Sequence, residues 1–305
     1  MMKIRTILGV IHSELLHVVE LVQFKHSKVI QQFIRNIKIM NTEVTVNYIL
    51  QHRCSVSRFG DGEFFVMDGG GNGFQHPDER LRKRLIDVFQ TRDDRLLVCI
   101  PYTWKSQENL KHTVKVFYTR FLLRNNSYIF KWLDYQYVYG DTLFSRFYMD
   151  YKDKSLSRQR INLIKKLWRD RDVYIIEGEL TRMGVGNDLF EGAKSIHRIL
   201  CPSKSAFDRY DEILKTAKEV IPQDGNALIL LALGMTATVL ASDLSCVGYQ
   251  AIDIGHLDVE YEWMRMGAKT KVAIPTRFVN EANNYDEVRD CRDEEYQQQI
   301  IAEIK

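Results

Sequence analysis

Ala227-Leu-Ile-Leu-Leu-Ala-Leu-Gly-Met-Thr-Ala-Thr-Val-Leu-Ala-Ser-Asp-Leu244 opens with seven apolar residues and turns at Gly234. An apolar run of this length without alternation fits a strand buried on both faces. Gly234 breaks it. Thr236 to Leu244 then has helical character, with small residues that allow close packing on a sheet. The start of such a helix offers free N–H groups to an anion. A strand buried on both faces needs layers above and below it, so the stretch predicts an α/β protein with a mainly parallel sheet and helices on both faces. Read alone, it fits a βα unit without a ligand equally well.

Three other segments share this plan of strand, glycine and polar group. Cys54 to Phe59 reads as a strand that opens into Gly60-Asp-Gly-Glu63. Carboxylates in such a turn can hold a hard divalent cation, glycines let the backbone approach a phosphate, and Arg58 can neutralise its charge. Asp-Gly-Glu is also ordinary turn chemistry. Val173 to Gly178 reads as a strand leading into a loop with Glu179, Arg182, Gly184 and Gly186, where Asn187 or Asp188 can cap a helix. The loop is phosphate-binding in kind, yet it is neither a dinucleotide fingerprint nor a Walker sequence. Ala251 to Ile254 reads as a buried strand ended by Gly255 and followed by His256, Asp258, Glu260 and Glu262. In an extended segment all four share one face. In a helix His256 pairs with Glu260, and Asp258 with Glu262. Either way, candidate acids and bases cluster at a strand end. The four ends at Gly60, Gly178, Gly234 and Gly255 are expected to converge on one cleft, with the Ala227–Leu233 strand interior in the sheet.

The rest of the chain agrees with a large enzyme domain. It has 305 residues, 45% hydrophobic and 27% charged, which is ordinary for a globular protein. A net charge of +3 is too small to argue for nucleic acid. None of the eight histidines falls in a zinc-binding spacing. The five cysteines are scattered, with no C-x-x-C, and no signal peptide is evident, so the chain reads as reduced and cytoplasmic. Ile4, Leu8, Ile11, Leu15, Val18, Val19 and Val22 recur at helical spacing, interrupted by charges that rule out a membrane span. They suit a helix packed on the enzyme's own core or on a second subunit, or an amphipathic helix resting on a membrane. Helices are predicted over Pro77–Gln90, Ser106–Leu123, Ser155–Trp168 and Phe207–Val220, the last with Ser203 and Ser205 as caps. Strands are predicted at Leu96–Ile100 and ending at Ile199–Pro202. Tyr135–Tyr151 reads as an aromatic loop able to shape a sugar or base pocket, and the tail after Asn280 as a surface helix or frayed end.

Arg58-Phe-Gly-Asp-Gly-Glu63, Phe144-Ser-Arg-Phe-Tyr-Met-Asp150, Gly178-Glu-Leu-Thr-Arg-Met-Gly-Val-Gly-Asn-Asp188, Leu233-Gly-Met-Thr-Ala-Thr-Val-Leu240 and Asp253-Ile-Gly-His-Leu-Asp-Val-Glu-Tyr-Glu-Trp263 occur in that order. Together they resemble the GT-D-fold glycosyltransferases, a bacterial family. The resemblance implies a Rossmann-like fold of GT-D type over residues 45–280, with an N-terminal helical extension (1–44) and an acidic C-terminal helix or tail (281–305). It implies a transferase that moves a hexose, glucose among them, from a UDP-sugar to a glycan or glycoprotein acceptor in surface glycan synthesis. The family's Asp-x-Glu motif falls on Asp61 and Glu63, which would hold Mn²⁺ or Mg²⁺. Arg58, Gly60, Ser145, Arg146, Glu179, Arg182, Gly184, Gly186, Asn187, Asp188, Gly234 and Thr236 are the expected nucleotide-sugar contacts.

Asp258 or Glu260 is the candidate general base, with His256 orienting or binding substrate. A second copy of the chain or another glycosyltransferase is the candidate protein partner. The N-terminal segment is a candidate contact with the inner face of a membrane. Two other readings use the same residues: a hydrolase of nucleotide-sugar diphosphates, and a non-catalytic nucleotide-sugar-binding subunit.

Overall fold

The structure, a computed structural model, describes residues 16–71, 75–282 and 288–305. Residues 16–26 form α1. The chain continues through α2 (Lys28–Asn36), β1 (Lys38–Ile39), α3 (Thr42–His52), β2 (Ser55–Arg58), α4 (Asp61–Met67), α5 (Glu79–Gln90) and β3 (Leu96–Ile100). It then forms α6 (His112–Ile129), β4 (Val138–Asp141), α7 (Ser157–Ile164), β5 (Asp172–Gly178), β6 (Ser195–Cys201) and α8 (Tyr210–Val220). It ends with β7 (Leu228–Ala232), α9 (Met235–Cys246), β8 (Gln250–Asp253), α10 (Leu257–Arg265), α11 (Glu294–Gln299) and β9 (Ile300–Glu303).

The described strands form one nine-stranded sheet in the order β1-β4-β3-β2-β8-β7-β5-β6-β9. All its ladders are parallel. β7 lies inside the sheet, and its side chains divide by parity as the apolar run requires. Ile229 and Leu231 join one buried cluster with residues of α5, α8 and α9. Leu228 and Leu230 join the other with residues of α3, α7 and α10. The chain steps from β2 through β3 to β4 toward one edge, and from β5 through β6 to β9 toward the other. The divergence lies at β2, β8 and β7, where parallel α/β sheets leave a crevice beyond the strand ends.

Several elements differ from expectation. The aromatic segment predicted as loop contains β4, whose Tyr139 and Gly140 pair with neighbours in the sheet. The acidic tail contributes β9 on the edge of β6, preceded by a single short helix. β1 adds the opposite edge, so the segments flanking the central region both extend the same sheet. No helix starts at Asn187 or Asp188, where the backbone continues in turns. The helix predicted from Pro77 begins at Glu79, with Asp78 as its cap and Pro77 just outside its first turn. Neither Ser203 nor Ser205 caps α8, which follows a short 3-10 turn at Ala206–Arg209. α6 begins six residues later than the sequence suggested and runs on to Ile129.

The N-terminal stripe is partly visible. Ile4, Leu8, Ile11 and Leu15 lie outside the described residues. Val18, Val19 and Val22 are each more than half exposed, so this part of the stripe faces outward. α1 is fastened instead through its other face, where Glu20 accepts two hydrogen bonds from Arg120 of α6. No described helix is long and apolar enough to cross a membrane.

Candidate functional site

A cleft of about 870 Å³ opens above the carboxyl ends of the central strands. Gly60, Gly178, Gly234 and Gly255, which follow or end β2, β5, β7 and β8, all line it. Two helices start there: α4 directly after Gly60 and α9 directly after Gly234. Gly234 has φ +54° with open space where a Cβ would stand, so the backbone at the head of α9 is bare toward the cleft.

Asp61 and Glu63 sit in the first turn of α4 and line the same cleft. Asp61 is exposed and has no hydrogen-bond or ion-pair partner among the described residues. Glu63 is half-buried, and its Oε2 accepts the Gly60 N–H at 2.8 Å. Burial raises the Glu63 carboxyl to about 7, helped by the nearby charges of Asp253 and Asp61 and opposed by the Gly60 N–H. Crowded carboxylates at a cleft floor, one without a partner, form an all-oxygen donor set of the kind a hard divalent cation takes. A second candidate group, His76, Asp78 and Asp208, has ligand atoms within 4.8 Å of one another. It is occupied by internal contacts: His76 Nε2 lies 3.3 Å from Asp208, and Asp78 caps α5.

Arg58 does not point free into the cleft. Its Nη2 donates to Asp253 Oδ1 at 2.8 Å and its Nη1 to Ser145 Oγ at 3.0 Å. The guanidinium thus clamps β2 to β8 and to the segment after β4. Ser145 is fully buried beneath it. Gly255 is required by this clamp: its φ is +49°, and a Cβ would stand 1.9 Å from Arg58 Nη2. Gly255→Ala is therefore expected to cost about 1–2 kcal/mol from the left-handed backbone alone, plus the displaced arginine. An unchanged denaturant midpoint for this variant would show that Arg58 is not held there.

His256, Arg146 and Glu281 close a triangle on the cleft wall. Arg146 Nη1 donates to Glu281 Oε1 at 2.9 Å, and Nη2 lies 3.3 Å from His256 Nδ1. His256 Nε2 lies 3.4 Å from Glu281 Oε2. An arginine can only donate, so Nδ1 is the accepting nitrogen and the imidazole proton sits on Nε2, toward Glu281. Burial and the Arg146 charge lower the His256 pKa and keep the ring neutral. Burial alone would raise Glu281, but the charges of Arg146 and Lys271 oppose it and hold the carboxylate ionised.

The other two base candidates are placed differently. Glu260 is fully buried and does not line the cleft. Its Oε2 accepts the N–H groups of Tyr148 and Met149 at 2.9 and 2.7 Å, pinning the loop that carries Arg146 and Asp150. Burial, with the charge of Asp150, raises its carboxyl to about 7. Asp258 reaches the cleft wall with both oxygens engaged: Oδ1 by Gly184 N and Asn187 Nδ2, Oδ2 by the buried Arg277. The structure therefore does not bring either carboxylate to the cleft as a free base. Helix geometry is the reason, because α10 turns these residues from the strand end into the protein.

The loop predicted to cradle phosphates is also directed elsewhere. Arg182 donates to the carbonyls of Thr276 and Arg289. Asn187 binds Asp258 and Glu262 on α10, and Asp188 pairs with Lys165 and Tyr261. Glu179 is exposed, and neither Gly184 nor Gly186 lines the cleft. Thr236 is buried one residue inside α9 and does not line it either. Of the expected nucleotide-sugar contacts, Arg58, Gly60, Arg146 and Gly234 reach the cleft. Lining residues that the sequence reading missed include Phe117, Tyr118, Asp150, Asp253, Lys271 and Glu281. Asp150 ends one of the quoted motifs and Asp253 begins another, but the others stand in no local pattern.

Comparison with known proteins bears on this arrangement. Residues 56–282 match the family described as glycosyltransferase GT-D fold. The chain belongs to the GT-D-fold glycosyltransferases. It is similar to glycosyltransferase GlyD of Streptococcus pneumoniae serotype 4, with 38% identity over 270 residues, 88% of this chain and 33% of that protein. It is also similar to a probable glycosyl transferase, Gly, of Streptococcus gordonii, with 37% identity over 277 residues, 88% of this chain and 39% of that protein. The chain thus spans between a third and two-fifths of these relatives' length. A solved structure of the domain of unknown function 1792, described as having a distinct glycosyltransferase fold, superposes with a TM-score of 0.86 at 41% identity. That match covers 91% of this chain and 99% of the other. A glycosyltransferase structure from Streptococcus sanguinis gives 0.83 at 37% identity, covering 88% of this chain and all of that one. As a GT-D-fold glycosyltransferase, the chain has its cleft where the sheet's topology puts it.

Proposed function

We propose that this glycosyltransferase moves a hexose from a UDP-sugar to a hydroxyl of a glycan or glycoprotein acceptor. The observation that carries the reading is the meeting, in one cleft, of four glycine-marked strand ends with Asp61 and Glu63. The bare backbone at Gly234, at the head of α9, suits a diphosphate. Asp61 and Glu63 would hold a divalent cation, Mn²⁺ or Mg²⁺, which when bound stabilises negative charge on the departing nucleoside diphosphate.

The bond from the sugar's anomeric carbon to the diphosphate oxygen breaks, and the acceptor oxygen forms the new one. The acceptor's proton then needs a base. His256 is favoured over Asp258 and Glu260 because it is neutral, faces the cleft and has Nδ1 as its accepting atom. Glu281, 3.4 Å from Nε2, would steady the imidazolium that forms. Arg146 lies within reach of both groups, so a substrate anion that draws it away would free Nδ1.

The test is UDP release from UDP-glucose with wild type, His256→Ala and Glu281→Gln. Both variants are expected to lose about 10²-fold or more in kcat, the usual contribution of a general base, with UDP affinity by calorimetry changed little. Wild-type activity in both variants would move the base elsewhere. Products of nucleoside monophosphate and sugar phosphate would make the cleft hydrolytic instead.

A further inference from the structure

Among the described residues, two aromatic side chains are exposed, Phe65 and Phe117. Of these, Phe117 lines the cleft, 44% exposed. Its ring is not loose. It stacks on Phe121 at 6.0 Å with 16° between planes, and Phe121 stacks on the buried Trp104 at 6.0 Å and 24°. Tyr118 meets it edge-on at 5.1 Å. A column of rings rooted in the core thus ends in one flat apolar face at the cleft. Thr113 and Val114, one turn earlier on α6, line the cleft beside it.

The start of α6 adjoins the polar groups around the proposed base: the Lys111 N–H donates to the Asp150 carbonyl at 3.0 Å and Lys111 Nζ to the Lys269 carbonyl at 2.9 Å. Lys271 Nζ lies 3.8 Å from Glu281 Oε1 and 4.0 Å from Asp150 Oδ1. The opposite flank, beyond β5 and β6, is lined by Gly178, Thr181, Ser203 and Ser205. A base must stand beside the hydroxyl it deprotonates. The flank that joins His256 and Glu281 is therefore the acceptor's, and the hydroxyl-lined flank is left for the nucleoside.

We propose that Phe117 is the platform on which the acceptor sugar stacks, its C–H face on the ring and its hydroxyls turned toward Lys271 and Asp150. The ring presents its electron-rich face to the polarised C–H groups of a pyranose, and its rigid backing spares the ordering cost of a mobile side chain. The assignment rests on the reading of the cleft as a nucleotide-sugar transferase site. It selects a carbohydrate acceptor over a bare peptide hydroxyl, because a serine or threonine side chain has no such face.

The experiment uses the full chain, UDP-glucose and the methyl glycosides of glucose, galactose and N-acetylglucosamine. UDP release is followed against glycoside concentration, and UDP affinity is measured separately by calorimetry. Phe117→Ala is expected to raise the half-saturating concentration of the accepted glycoside about 10-fold or more. UDP affinity and acceptor-free hydrolysis of UDP-glucose should stay within about twofold, and Phe117→Tyr should restore acceptor binding. Unchanged acceptor saturation in Phe117→Ala overturns the proposal. So does a loss of UDP affinity, which would assign the ring to the nucleobase, or acceptance of none of the three glycosides while water takes the sugar. A wild-type chain that neither binds UDP nor releases it from UDP-glucose overturns the transferase reading itself, and this assignment with it.

Discussion

Asp61→Asn is expected to lower kcat by at least about 10²-fold and to leave thermal stability unchanged. The two halves of this result come from one observation. The Asp61 carboxylate has no partner among the described residues, so its charge contributes little to stability, yet it lines the cleft together with Glu63. Glu63→Gln should behave alike, because its amide oxygen can still accept the Gly60 N–H that Glu63 now holds. The pH dependence has a definite sign. The Glu63 carboxyl is raised to about 7, so a cation must compete with a proton for it below that pH. The half-saturating Mn²⁺ concentration should therefore rise as pH falls from about 8 to about 6. Full turnover in excess EDTA would remove the cation from the mechanism.

Asp258→Ala is expected to destabilise the protein by about 3–5 kcal/mol, the usual result of removing one partner from a buried ion pair. The substitution strips the buried Arg277 of its carboxylate and releases Gly184 N and Asn187 from theirs. Stability measured by urea unfolding should fall by this amount. If stability held while transfer was lost, Asp258 would return as a catalytic group. The Glu177–Arg198 pair is built the same way, with both side chains buried and Arg198 also donating to the Met183 carbonyl. Together the two pairs draw the 182–188 loop over α10 and away from the cleft.

The sheet was legible because burial on both faces leaves a plain mark in a sequence. The seven apolar residues of Ala227–Leu233 can be little else, and the glycines after four strands mark where the backbone turns into the cleft. β4 and β9 were not legible. Val138–Asp141 is largely buried, but its buried positions are Tyr139, Gly140 and Asp141 and carry no aliphatic run; Ile300–Glu303 follows a Gln-rich run and, as a half-exposed edge strand, needs little apolar burial. The site was half legible. Residues at strand ends were found because topology positions them. The fate of Asp258 and Glu260 depended on whether Gly255 led to a strand or a helix, and a helix rotates alternate residues to different surroundings. Glu281 and Phe117 come from a turn and a helix far along the chain from the motifs, and only tertiary packing brings them in.

Arg58 and Asp253, the pair that joins β2 to β8, are separated by 195 residues of chain. The floor of the cleft comes from the first quarter of the sequence and its far wall from the last. Contacts between residues so distant form late, because the intervening chain must first be ordered. During synthesis the Asp61–Glu63 turn therefore leaves the ribosome long before the strand it must dock against exists. The ladders of β2 with β3 and of β5 with β6 join neighbours in sequence and can pair early, while β8 closes the sheet between β2 and β7 as a keystone. Binding competence is thus a property of the finished sheet: a nascent or truncated chain that lacks β8 has the two banks of the cleft bridged by α9, through bonds such as Ser57 Oγ to the Thr238 carbonyl, but without the strand that pairs with both.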